Sequence, residues 1–181
     1  MDNNNILYVF TDGNCKNNGR KNAKAGYSVF ICDDISSPFY KFNKSECLSQ
    51  TIINTNNIAE LTAFKNAFDI IINNKDTFIK NNKKEIIICS DSMYSIKCIE
   101  IWSNKWIKNG WKSSTGGDVK NKELIQDILN LKNLIKKDTN IKISFKHVKA
   151  HLKEPIDKKT LEWFLWYGNN KVDTNINNLL L

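Results

Sequence analysis

From Ile6 to Thr11 the chain is apolar, β-branched and aromatic, and Asp12-Gly13 follows, a pattern that predicts a strand stopping at a turn. The segment Lys16–Lys24 is polar and reads as a loop. Ala25–Cys32 alternates into a second strand, Asp33–Ser37 reads as a turn, and Phe39–Asn43 reads as a weaker third strand. Ile58, Leu61, Phe64, Phe68, Ile71 and Ile72 then recur at helical spacing, so a helix is expected from a cap at Asn56 or Asn57 through Asn73. Glu85–Ser90 is a continuous apolar run, the pattern of a central strand buried on both faces. Asp91-Ser92 can cap a following helix that carries Tyr94, Ile96, Ile99 and Trp102. A basic, tryptophan-bearing segment leads to a loop at Gly116-Gly117. Lys120–Lys136 is an amphipathic helix, Ile141–Val148 alternates as a strand, and after an irregular stretch Asn169–Leu180 reads as a terminal helix. Early hairpins followed by β-α-β units predict an α/β domain, a mixed sheet with helices on its faces.

The length of 181 residues suits a single domain, with no internal repeat or linker. The formal charge of +8 is carried almost wholly by lysine, Arg20 being the one arginine, and favours a polyanionic partner. Cys15, Cys32, Cys47, Cys89 and Cys98 are odd in number and form no C-x-x-C pair, which points to reduced thiols in an intracellular, reducing compartment. With only His147 and His151 beside them, a zinc finger is not expected. Neither a signal peptide nor a membrane-spanning stretch is expected, and no membrane partner.

The acids carry the chemistry. Asp12 and Asp91 follow two strands; if those strands run parallel as neighbours, both carboxylates emerge at one sheet edge, where open α/β sheets place ligands. Glu60 falls in the first turn of the first helix and Asp173 on the last, from where they can close over that edge. Clustered carboxylates repel and resist desolvation, and a divalent cation with oxygen ligands, magnesium above all, relieves both costs. Each acid also has a plainer reading: Asp12 as a turn residue, Asp91 as a helix cap, Glu60 and Asp173 as solvated helix charges.

The ordered set of motifs resembles the type 1 ribonuclease H family. It begins at Thr11-Asp12-Gly13-Asn14-Cys15, with Asn18-Gly19 and Ala25-Gly26, and resumes at Thr55-Asn56-Asn57-Ile58-Ala59-Glu60. Ser90-Asp91-Ser92-Met93, Trp102, Trp106, Lys108-Asn109-Gly110-Trp111-Lys112 and Val119-Lys120-Asn121-Lys122-Glu123 follow, then His147-Val148-Lys149-Ala150-His151, Gly168-Asn169 and Asp173. The resemblance covers nearly the whole chain. It implies a ribonuclease H-like fold, a five-stranded mixed sheet whose first three strands are antiparallel, flanked by helices, with a basic protrusion at about residues 94–118. It implies hydrolysis of the RNA strand of RNA–DNA hybrids by two metal ions, Mg2+ with Mn2+ as a substitute, giving 5′-phosphate and 3′-hydroxyl ends. Asp12, Glu60, Asp91 and Asp173 would be the metal ligands, and His151 the family's mobile histidine, which aids proton transfer or release of product and metal. Tyr94, Trp102 and Trp106 would line a channel for the DNA strand, Thr55 and Asn121 would hold a DNA phosphate, and Cys15, Asn18, Asn56 and Asn57 would contact the hybrid near the cleaved strand. His147 is expected to pack at a strand end, and Trp111 to pack rather than bind. The hybrid is the expected partner of a monomer with no obligatory protein partner and no separate hybrid-binding domain. A hybrid-binding module with decayed catalysis, and another nuclease of the same fold, are the alternatives.

Three departures from the family pattern stand out. Ile53 occupies a place that usually holds an arginine of the phosphate pocket, and Ala150 a place usually held by glycine. The stretch between His151 and Asp173 is long, and about 152–168 reads as an atypical loop holding Trp163-Phe164-Leu165-Trp166-Tyr167, most simply a packed surface insertion.

Overall fold

The computed structural model describes residues 5–49 and 54–181. Strand β1 spans Ile6–Lys16, β2 Lys24–Cys32 and β3 Lys44–Cys47. Helix α1 spans Asn56–Asn73, α2 Lys75–Lys80, and β4 Glu85–Ser90. Helices α3 (Met93–Lys97) and α4 (Ser103–Lys108) flank one π-helical turn at Cys98–Trp102; α5 (Lys122–Asp138), β5 (Lys142–His147) and α6 (Leu161–Leu179) complete the chain. The five strands form one sheet in the order β3-β2-β1-β4-β5. The first three pair antiparallel, while β4 runs parallel to both β1 and β5. This is the ribonuclease H-like α/β arrangement.

Alternation along the strands divides the core into two layers. Leu7 and Val9 of β1, with Ile86 and Ile88 of β4, join Leu61, Phe64 and Phe68 of α1 and Ile125 and Ile128 of α5. Phe10 and Cys89, one residue out of step, belong to a smaller aromatic layer with Phe30, Val172, Phe164 and Tyr167 under α6. Period-two side chains on a central strand must serve both faces, which is why β1 and β4 read as unbroken apolar runs. No helix among the described residues is long and apolar enough to cross a membrane.

Four expected elements differ. β1 does not stop at Thr11: Asp12 pairs with Ser28 and Lys16 with Lys24, so Asp12-Gly13 lies inside a strand. Phe39–Asn43 is not a strand. Pro38–Phe42 forms a 3-10 turn capped by Ser37, since proline fixes φ and offers no N–H to a ladder, and the third strand begins after it. The cap of α1 is Thr55, whose hydroxyl accepts the Ile58 N–H at 3.2 Å. The terminal helix begins at Leu161, so the aromatic run Trp163–Tyr167 is helical, and only the residues before it are irregular.

Candidate metal and nucleic-acid site

Parallel pairing of β1 with β4 brings Thr11 beside Ser90, so Asp12 and Asp91 leave neighbouring strands at one edge of the sheet. Glu60 arrives from α1 because Gly13 lets the helix approach. A Cβ built on Gly13 would lie 2.2 Å from the carbonyl carbon of Ala59 and 2.3 Å from the nitrogen of Glu60. Only hydrogen fits there, and that missing side chain sets the height of Glu60 over the strand. Asp12, Glu60 and Asp91 thereby each offer an oxygen within 4.8 Å of the others.

Their environment is that of acids gathered without a counter-charge. Burial, then the Asp91 and Asp173 carboxylates, push Asp12 up to about 7, against the pull of the Gly13 N–H, which donates to Asp12 Oδ1 at 2.8 Å. Glu60 is pushed well up by burial, then by Asp12 and Asp91, and its Oε2 is buried without a hydrogen-bond partner. Asp91 is raised by burial and then by Asp173, with His151 and His147 opposing. Three converging carboxylates, one of them with a buried and unpartnered oxygen, suit a hard divalent cation, so the residues fit a metal of the magnesium class.

Asp173 is not one of the three that converge. It faces Asp91 across a hollow of about 30 Å³ lined also by His151, Trp166 and Asn169. One of its oxygens accepts from Asn177 Nδ2 at 3.1 Å, and Asn177 in turn accepts from Asn14 of β1 at 3.3 Å, so the face of α6 that carries Asp173 is tied to the strand that carries Asp12. The plainer readings of Asp12, Asp91 and Glu60 as turn residue, helix cap and solvated charge do not match the structure. Asp12 is within a strand, Ser92 caps α3 by accepting the Ser95 N–H at 3.3 Å, and Glu60 carries a buried oxygen.

His151 sits on the loop after β5 with φ +53, a left-handed conformation rare outside glycine. His147 is not packed as expected. It is exposed, and its Nε2 lies 3.2 Å from the Asp91 carbonyl oxygen, because β5 ends in register with Ser90 and leaves the ring beside the next residue of β4's exit.

The aromatic residues of the basic protrusion, here called the handle, form a row. Tyr94 and Trp102 are 6.1 Å apart by ring centroid, Trp102 and Trp106 5.8 Å, and Trp106 and Trp111 6.1 Å. Trp111 is thus packed on Trp106, as expected, although it sits at φ +65. Asn121, also left-handed, donates to the Tyr94 hydroxyl at 3.3 Å, which joins a proposed phosphate contact to the aromatic row. Across the site Asn18 Oδ1 accepts the Asn56 N–H at 3.0 Å; Asn18, Asn56 and Asn57 are exposed, while the Thr55 hydroxyl accepts from Ile58 as the cap of α1 and keeps its own proton to donate. Cys15 is 6% exposed, its thiol turned into a cluster with Ala23, Ala25 and Ala59. Ile53 lies outside the described residues.

Sequence reasoning passed over Trp166 and Asn169 as site residues. Trp166, Asn169 and Asp173 are spaced three and four apart, one face of a helix, but that signal is lost when the helix is started at Asn169. Asn169 is 7% exposed and its Oδ1 has no partner, within the hollow beside Asp91 and Asp173.

A sequence model of the RNase H family matches residues 4–177. The chain belongs to the RNase H family. It is 35% identical over 145 residues to Ribonuclease H1 of Mus musculus, covering 80% of this chain and 44% of that protein. It is 32% identical over 146 residues to a Ribonuclease H of Clostridium botulinum, covering 80% of this chain and 83% of that protein. The chain therefore spans less than half the length of the mouse relative and most of the bacterial one. The solution structure of the PFV RNase H domain superimposes with a TM-score of 0.67 at 17% identity, covering 96% of this chain and 93% of that one. LC11-RNase H1 in complex with an RNA/DNA hybrid superimposes with a TM-score of 0.60 at 17% identity, covering 96% of each chain. At those identities the structures share the fold, and the motif residues carry the family placement as a type 1 ribonuclease H.

Proposed function

We propose that this chain is an endonuclease that hydrolyses the RNA strand of RNA–DNA hybrids, leaving 5′-phosphate and 3′-hydroxyl ends. The observation that carries the reading is the convergence of Asp12, Glu60 and Asp91 within 4.8 Å around a buried, unpartnered oxygen of Glu60. The names of the relatives and the hybrid-bound relative of the same fold support the substrate.

Asp12, Glu60, Asp91 and Asp173 are the residues that would hold two Mg2+ ions, with Mn2+ as a substitute. When bound, such ions lower the pKa of water and neutralise charge that develops on phosphate oxygens. The chain's own residues do the rest. Water adds to phosphorus and gives up one proton, the bond from phosphorus to the 3′-oxygen breaks, and the leaving oxygen takes up a proton in its place. His151, which lines a hollow with Asp91, would carry a proton in this exchange or assist departure of the product. Tyr94, Trp102 and Trp106 offer ring faces to the DNA strand, Asn121 and Thr55 a phosphate contact, and Asn18, Asn56 and Asn57 polar contacts near the 2′-hydroxyls that distinguish RNA. Cys15, with its thiol inside, would contribute through its backbone. We take the hybrid as the partner of a monomer working in a reducing compartment, a setting that suits five free thiols.

Cleavage of end-labelled RNA in a hybrid, with magnesium, tests the reading. Wild-type protein is expected to release fragments with 5′-phosphates, and Asp91→Asn to leave the RNA intact. Tight hybrid binding without turnover in either metal would replace the proposal with a binding module. Equal cutting of double-stranded DNA or RNA would move it to another nuclease of this fold.

A further inference from the structure

The departure at residues 152–168 has a geometry of its own. Trp163 and Trp166 stand on the first turns of α6 and reach back to the loop that carries His151. The Trp166 indole N–H donates to the Leu152 carbonyl at 2.9 Å, one residue past His151. The Trp163 indole N–H donates to Glu154 Oε1 at 2.9 Å, and Lys158 closes on the same oxygen at 3.2 Å. Trp163 is anchored behind, and Trp166 leans on it with ring centroids 6.4 Å apart. Trp163 stacks on Tyr167 at 5.1 Å, Tyr167 meets the edge of Phe30 at 6.0 Å, and Phe164 meets Tyr8 at 5.1 Å. Before the histidine, the Val148 N–H bonds the Ser90 carbonyl at 3.0 Å, so the loop is fixed at both ends. Between those ties His151 holds a left-handed backbone, which persists only where the surroundings over-determine it. Trp166 also lines the hollow that His151 shares with Asp91 and Asp173.

We propose that Trp166 is a positioning residue for His151: its indole N–H, backed by the Trp163–Glu154 tie, braces the loop so that the imidazole stays over the acid cluster. The aromatic start of α6 is therefore a built-in support for the site. A free loop must find its productive arrangement in each cycle, while a braced one starts near it. The inference rests on the proposed role of His151 in cleavage.

Two measurements test it. Trp166→Phe keeps an aromatic ring at this position but removes the N–H donor together with the second ring of the indole, and the Leu152 carbonyl it abandons can turn to water. Amide hydrogen exchange at residues 149–154 in the substrate-free protein is expected to rise about fivefold in this variant, with α1 unchanged. Trp163→Phe should act in the same direction at Glu154. On a hybrid substrate Trp166→Phe should lower kcat about threefold to fivefold at unchanged KM, and add nothing in a His151→Ala background. Unaltered exchange overturns the brace. Raised exchange with fully additive loss of kcat overturns its link to His151. If the wild-type chain cleaves no hybrid, the proposed activity falls, and the exchange measurement still decides whether Trp166 holds the loop.

Discussion

Asp12 is held near pH 7 in the metal-free fold by burial first and by Asp91 and Asp173 after it, against an ordinary value of 3.8. Between about pH 4 and pH 7 the folded chain then binds more protons at this site than the unfolded chain. The contribution is present in full below the ordinary value and is lost as pH rises through the folded one. Glu60 and Asp91 shift the same way. Asp12→Asn should therefore stabilise the metal-free protein increasingly from pH 4 to 7, with a plateau above. The ceiling is of order 4 kcal/mol, about 1.4 per pKa unit. Urea titrations of wild type and variant across that range in a chelator check it, and saturating magnesium should abolish the advantage. The same substitution should lower kcat by about 10³-fold, since it removes a carboxylate from the proposed metal-holding set.

At the scale of elements, the contact that matters most is α1 against β1. Gly13→Ala would drive a methyl into the backbone of Ala59 and Glu60, which cannot yield as a side chain can. A loss of about 1–3 kcal/mol in stability is expected, together with a fall in kcat larger than destabilisation alone produces, because Glu60 moves with its helix. Denaturant midpoints and single-turnover rates measure the two effects separately. The handle behaves differently. Trp102 ends the π-helical turn and meets Trp106 of α4 ring to ring at 5.8 Å, and neither lines the hollow of Asp91 and Asp173, so their proposed role is in binding. Trp106→Ala should raise KM about tenfold, in the range of one lost base stack, with kcat held. A fall in kcat at constant KM would remove the handle from the binding surface.

For the whole molecule, the charge of +8 predicts that affinity for the proposed hybrid substrate falls with salt. The lysines of the handle are not equivalent. Lys112 is paired with Asp118 at 2.8 Å, whereas no ion pair among the described residues engages Lys105 or Lys108. Lys108→Gln should flatten the plot of log affinity against log salt by up to about 0.9, the value of one phosphate contact, and Lys112→Gln by less. Equal slopes for the two variants would show that the Lys112–Asp118 pair opens on binding. The +8 is also a sum over a molecule that gathers Asp12, Glu60 and Asp91 at one end of its sheet, so the proposed hybrid substrate is expected to be held from the side of the handle.

Much of this was legible along the chain because periodicity reports which faces are buried. The alternation of β2, the unbroken run of β4 and the helical spacing of α1 and α5 each named their element, and the motif order named Asp12, Glu60, Asp91 and Asp173. What the chain could not show was anything that depends on a partner distant in sequence. Asp12-Gly13 has the composition of a turn and became strand because β2 pairs with it to Lys16. Trp163–Tyr167 carries no polar alternation and became helix because Phe10, Phe30 and Tyr8 receive its rings. His147 moved from an expected packed position to the Asp91 carbonyl through strand register alone. Residue types and spacing thus determined which groups this protein brings to its chemistry. Only the packing of α1 and α6 on the sheet decided that three carboxylates share one volume and that an indole holds the histidine's loop, because those distances are set across the fold rather than along the chain.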